Sequence, residues 1–288
     1  MFSGSIVALV TPFRKGVVDF DKLDELVEMQ VKAGTDGIVP CGTTGESPTL
    51  SHDEHDAVIE RVVKAAGGRC PVIAGTGSNS TDEAIRLTRH AEKAGADASL
   101  QVCPYYNKPT QEGLYEHFKT VAESVAIPVL LYNIPGRTGR NIDVETMARL
   151  GEIRNIVGVK EAAGSTDQVT EILTRTRLTV LSGDDSMTLP FMSLGAKGVI
   201  SVVANIVAKD VKTMVHAFLQ GDPARAQKLN AKLYPLSKAM FIETNPGPIK
   251  AAMEMLGWIG AEMRLPMVPP GKAAREKIRK ALEDYGLL

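Results

Sequence analysis

Residues 37–54 read Gly-Ile-Val-Pro-Cys-Gly-Thr-Thr-Gly-Glu-Ser-Pro-Thr-Leu-Ser-His-Asp-Glu. A continuous apolar run over 37–41 is followed by a glycine-rich polar turn. Ser51 and Glu54 then form an S-x-x-E capping box, the reciprocal hydrogen-bonding pattern that starts a helix. Strand, turn and helix start thus follow within one short span. Similar apolar runs recur at 6–10, 71–74, 98–102, 128–132, 156–159, 178–181 and 198–202. Most are β-branched and continuous rather than alternating, as strands buried on both faces read. Between them, Ser80-Thr-Asp-Glu83 repeats the capping box and Ser165-Thr-Asp-Gln168 is its glutamine version. Leu23, Leu26, Val27 and Val31 share one helical face, and Gly34 and Gly95 stand at helix ends. Strand and helix alternate about eight times over some 220 residues. Both a doubly wound open sheet and a barrel are built this way; eight units favour the (β/α)8 barrel.

After Asn205 the strand signal stops. Helical patterns over 211–220, 223–240, 246–256 and 272–285 exceed what an eighth barrel helix needs. The expected organisation is a catalytic barrel over 1–223 and a helical extension over 224–288. Across 288 residues, 33 basic side chains balance 34 acidic ones, and 44% of residues are hydrophobic. That composition excludes a disordered chain and gives no electrostatic reason to expect nucleic acid or an anionic membrane as partner. No apolar run approaches the roughly 20 residues of a membrane span, and the N-terminus lacks signal-peptide features. Three scattered cysteines, Cys41, Cys70 and Cys103, suggest neither a disulfide framework nor a thiolate metal site. The expected setting is the cytoplasm.

In a (β/α)8 barrel the chemistry sits where strands end and βα loops begin. The sixth run ends Val157-Gly-Val-Lys160-Glu-Ala162, placing an amine over the barrel mouth. Partial burial disfavours the ammonium form and supplies a nucleophile for carbonyl substrates. A solvated lysine, or one paired with Glu161, is the structural alternative. The second run ends Gly42-Thr-Thr-Gly-Glu-Ser47, where two hydroxyls between glycines suit a small anion or merely a tight turn. It lacks the lysine of a P-loop, and Gly75-Thr-Gly77 fails the dinucleotide fingerprint because Ser80 replaces the third glycine. The fifth run ends Tyr132-Asn-Ile-Pro-Gly-Arg137-Thr-Gly139, offering a phenol for proton transfer and a guanidinium for a carboxylate. Tyr105 and Tyr106 follow the fourth run, suited to a site or to interface packing. His52 and His55 lie three apart on a helix without the HExxH pattern, so no metal is expected. No G-x-S-x-G elbow occurs.

In their order along the strands, GTTGE (42–46), YNIPGRTG (132–139), VGVKEA (157–162) and SGDD (182–185) resemble the dihydrodipicolinate synthase family over essentially the whole chain. The resemblance implies a (β/α)8 class I aldolase that condenses pyruvate with aspartate 4-semialdehyde to 4-hydroxy-tetrahydrodipicolinate. That is the first committed step of lysine and diaminopimelate biosynthesis, and it needs no cofactor. It further implies that Lys160 forms a Schiff base with pyruvate. Thr43, Tyr132 and Tyr106 would relay protons, Tyr106 entering from a neighbouring subunit, with Thr44 bridging the hydroxyl network. Thr44, Arg137, Ile200 (through its carbonyl) and Gly183 would bind substrate. A homotetramer built as a dimer of dimers is implied. So is an L-lysine effector site at Ser47, His52, His55, Asn79, Glu83 and Tyr105. Sugar-acid retro-aldolases such as N-acetylneuraminate lyase share the lysine and tyrosine; Arg137 in GRTG favours the carboxylate-bearing semialdehyde instead.

Overall fold

A computed structural model describes residues 2–288. Eight parallel strands, first to eighth in the barrel, span Gly4–Ala8, Gly37–Val39, Ile73–Gly75, Ala98–Val102, Val129–Asn133, Ile156–Glu161, Thr179–Ser182 and Gly198–Ser201. The first strand pairs with both the second and the eighth. The remaining seam, between second and third, is closed by the Ile38–Val72 bridge and by Gly75 N–H donating to the Pro40 carbonyl at 3.0 Å. A Cβ on Gly75 would stand 2.4 Å from the Cys41 carbonyl oxygen, so the closure needs glycine there.

Both strand faces are buried, which is why the runs are continuously apolar. Ile6, Leu100, Leu130, Tyr132, Leu181 and Ile200 belong to the cluster filling the barrel. Val7, Ile38 and Val199, and on the far side Leu131, Val159 and Val180, face the surrounding helices instead. The first strand ends at Ala8, two residues earlier than the periodicity suggests. Val10 is buried all the same, its N–H satisfied by the Asn205 side chain at 3.2 Å rather than by a ladder. A small hairpin, Phe13–Arg14 with Val17–Val18, adds to the expected elements; its turn residues Lys15 and Gly16 both hold positive φ, as an X-Gly hairpin turn requires.

The capping signals resolve unevenly. Ser51 and Glu54 form the full reciprocal box. Ser80 and Ser165 each cap the third residue's N–H, but Glu83 and Gln168 do not reach back. Their side chains turn to other partners, His52 and Ser78 for Glu83, Asn141 and Glu161 for Gln168. Gly34 and Gly95 close their helices in the left-handed conformation.

Four helices follow the last strand: Ala204–Leu219, Pro223–Ala239, Gly247–Met255 and Lys272–Tyr285. The first starts earlier than expected, and non-helical backbone at Val207 separates its opening turn from the periodic stretch. Leu236, Met240, Ile249, Ile278 and Leu282 join the apolar cluster that holds Val7 and Leu23, so these helices pack on the barrel rather than apart from it. Among the described residues, no helix is long and apolar enough to cross a membrane.

His117, on the helix Gln111–Glu123, is buried against Phe118, with Nδ1 2.9 Å from the Thr81 hydroxyl. Burial pushes its imidazole down to about 4. The unfolded chain therefore binds this proton first, and stability falls as pH drops from about 6.5 through about 4, by roughly 3 kcal/mol. Urea titrations across that range should show His117→Asn flattening the pH dependence relative to the parent; parallel curves would refute the assignment.

Candidate active site

Strand alternation decides the site. On the sixth strand Lys160 stands opposite Tyr132 of the fifth and Leu181 of the seventh, and all three point into the barrel. Glu161, one residue on, faces the surrounding helices. It therefore does not pair with Lys160, and the ion-pair alternative fails on geometry. Lys160 is only 6% exposed, with its Nζ 4.1 Å from the centre of the Tyr132 ring. Among the described residues no carboxylate lies within ion-pair distance of that amine. Gly183 makes room for it: a Cβ there would come 3.1 Å from Lys160 Cγ and Cε, and 2.8 Å from the Ala162 Cβ.

The second-strand loop is held by its backbone. Cys41 and Glu46 both take left-handed φ, at 53° and 55°, and Gly45 lies against the Cys41 N–H. This tight turn presents Thr43 to a cavity of about 220 Å³ shared with Tyr132, Arg137, Ser47 and Tyr105. Thr44 is buried, and its hydroxyl accepts from Asn245 Nδ2 at 3.0 Å. Within one chain, no hydrogen bond among the described residues joins the Thr43, Thr44 and Tyr132 hydroxyls to one another. Arg137 sits on a single helical turn, Pro135–Thr138, ended by left-handed Gly139. One of its nitrogens donates to the Asn245 carbonyl at 3.0 Å. Ile200 lies on the eighth strand opposite Ile6. The turn after it is pinned by buried Asp185, whose carboxylate accepts the Val202 and Val203 N–H groups at 3.0 Å each. Tyr106 differs from the others: at φ 72° and 89% exposed, it does not line this chain's own cavity.

Two residues of the helical extension were not singled out from sequence. Asn245 binds both Thr44 and Arg137. Lys250, fully buried, pairs with Glu46 of the GTTGE loop at 2.5 Å and lies 4.4 Å from the Phe13 ring centre. Burial pulls the Lys250 ammonium down, opposed by the Glu46 charge. A charged residue inside the otherwise apolar Pro-Ile-Lys-Ala-Ala-Met stretch was the available signal.

The polar set around His52 is divided. His52 Nε2 lies 2.6 Å from Glu83 Oε1, and the Ser78 hydroxyl donates to the same carboxylate. Those two bonds hold Glu83 below the usual carboxylate range. Asn79 donates to the Tyr105 carbonyl at 3.1 Å. His55 lies beneath, buried, with Nε2 2.9 Å from the Gly75 carbonyl at the barrel seam; burial lowers its basicity. Among the described residues, no group of three or more His, Cys, Asp or Glu side chains is placed to hold a metal.

Residues 1–285 match the dihydrodipicolinate synthetase family. The chain is 55% identical to a 4-hydroxy-tetrahydrodipicolinate synthase of Syntrophus aciditrophicus (strain SB), over 100% of both chains. The crystal structure of a dihydrodipicolinate synthase from Aquifex aeolicus superposes with a TM-score of 0.98 at 54% identity, covering 99% of each chain. A dihydrodipicolinate synthase of Cyanidioschyzon merolae, with lysine bound, superposes with a TM-score of 0.96 at 42% identity, covering 100% of this chain and 99% of that one.

The space left by Gly183 is directly testable. Gly183→Ala should cost about 1–3 kcal/mol by overpacking and slow reductive methylation of the Lys160 amine. Unchanged stability and unchanged methylation would show that Lys160 does not need that space.

Proposed function

The chain belongs to the dihydrodipicolinate synthetase family, and on that premise we propose that Lys160 is the nucleophile through which it works. The protein is an aldolase that joins pyruvate to aspartate 4-semialdehyde, yielding 4-hydroxy-tetrahydrodipicolinate in lysine biosynthesis. The observation that carries the assignment to Lys160 is a buried amine at the barrel mouth with an aromatic ring beside it and no acid paired to it.

The amine attacks the pyruvate ketone carbon, and loss of water leaves a protonated imine. That cation acidifies the methyl group; removal of one proton gives an enamine. The enamine carbon bonds to the aldehyde carbon of the second substrate, whose oxygen takes a proton. The amino group of that substrate then adds to the imine carbon and expels Lys160 as the free amine. One water leaves overall, and the imine serves as the electron sink, so the chemistry calls for no cofactor. Tyr132 and Thr43, on one cavity wall, are the groups suited to carry the protons, with Thr44 behind them. Arg137 keeps guanidinium N–H groups for the semialdehyde carboxylate, while Gly183 and the Ile200 carbonyl border the pyruvate side.

Tyr106 completes the relay from a neighbouring copy in this reading. Its exposure and left-handed backbone suit a side chain that reaches outward, and the assembly is a homotetramer built as a dimer of dimers. Ser47, His52, Asn79, Glu83 and Tyr105 are the residues to receive an L-lysine effector, with His55 supporting them from below. Ser47 and Tyr105 also line the active cavity, so an effector there would sense it. Three free, buried cysteines suit the reducing cytoplasm.

A coupled assay with pyruvate, aspartate semialdehyde, a dihydrodipicolinate reductase and NADPH tests this reading. Turnover should require both substrates, and Lys160→Ala should reduce it by at least about 10³-fold without loss of fold. Retained activity in that variant would sink the assignment. L-lysine added to the same assay should inhibit, and Glu83→Ala should relieve the inhibition.

A further inference from the structure

Beyond Lys160 and Tyr132 lies a second pair, on the opposite face of the same two strands. In the fifth–sixth ladder Tyr132 stands opposite Lys160, and the next rung sets Asn133 opposite Glu161. Alternation turns the first pair into the barrel and the second outward, beneath the helices. Asn133 and Glu161 are both fully buried. Asn133 Nδ2 donates to the Glu161 carboxylate at 3.2 and 3.0 Å. That carboxylate also accepts from the Ala163 N–H at 2.7 Å and from Gln168 Nε2 at 3.1 Å. Asn133 Oδ1 takes the Ile142 N–H at 3.0 Å, and Asn133 Nδ2 also reaches Asn141. Among the described residues no cation pairs with Glu161. Burial pushes the Glu161 carboxyl above the usual carboxylate range, while these donors work against that. A buried acid without a counter-ion is costly unless every lone pair is used.

We propose that Asn133 and Glu161 form an outward-facing clamp on the last rung of the ladder that positions Tyr132 and Lys160 across the inward face. The rung is where main-chain pairing between these strands runs out. Beyond it the Ala162 N–H still donates to the Asn133 carbonyl, at 2.9 Å, before the chain turns away. A side-chain bond on the outer face therefore fixes what the fading ladder cannot: the separation and tilt of the two strand ends. Asn133 and Glu161 touch no reacting atom and are positioning residues. The inference rests on the roles assigned to Lys160 and Tyr132.

Reversing the clamp's polarity tests it. Asn133→Asp sets two carboxylates face to face and should lower kcat by about tenfold or more, with the KM for pyruvate changed little. Adding Glu161→Gln restores a donor opposite an acceptor, and the double variant should recover most of kcat. Ile172 is fully buried on the helix Thr166–Arg175, and Ile172→Val, a core change there, should lower the melting temperature without lowering kcat. Should Asn133→Asp fail to fold, Glu161→Gln alone carries the test, with kcat expected to fall and KM to hold. A double variant no better than Asn133→Asp, an unchanged kcat in the folded single variants, or an equal kcat loss in Ile172→Val would overturn the clamp. If Lys160→Ala retained turnover, the functional reading would fall whatever the clamp variants did.

Discussion

The site depends on an amine taken out of water and given no acid to pair with. A buried lysine next to a carboxylate is an ion pair, held charged and chemically idle. Lys160 escapes that outcome because the side chain beside it in sequence, Glu161, points to the other face of the strand. What the amine meets instead is the Tyr132 ring and the open flank left by Gly183. An amine so placed is free to meet a carbonyl, which a lysine held in an ion pair is not. The barrel supplies this arrangement through the two-residue period of its strands, with Glu161, the acid at the sixth-strand end, kept outside.

The helical extension is part of the same construction. Asn245 ties Thr44 to Arg137, so the hydroxyl loop after the second strand and the guanidinium after the fifth share one anchor. Lys250 reaches Glu46 in a pair buried on both sides, against the Phe13 ring. Such a pair contributes little net stability over an apolar substitute, but breaking one side leaves a buried charge at a cost of about 3–5 kcal/mol. Its effect is directional: it holds Glu46 in a left-handed conformation that closes the loop bearing Thr43 and Thr44.

The barrel was legible because its strands are buried on both faces and three of its helices announce their starts with Ser-x-x-Glu or Ser-x-x-Gln. Lys160, Tyr132, Thr43 and Arg137 were legible because each stands at or just beyond a strand end. Three things were not. The hairpin at Phe13–Val18 is too short for periodicity to register, although Lys15-Gly16 carried its turn signal. Asn245 and Lys250 act on loops more than 100 residues earlier in the chain, a separation no local pattern encodes. His55 shares the implied effector set with His52 three residues away, yet it lies buried beneath that surface, with its ring against the Gly75 carbonyl where the barrel closes. The helix turns these two histidines to different surroundings, and only packing reveals which one faces solvent.

Borohydride reduction in the presence of pyruvate, followed by peptide mapping, tests the central claim most directly. The account predicts one stable adduct, on the peptide that carries Lys160, and none without pyruvate. An adduct on Lys250 or another lysine, or no adduct from protein that turns over, would contradict it.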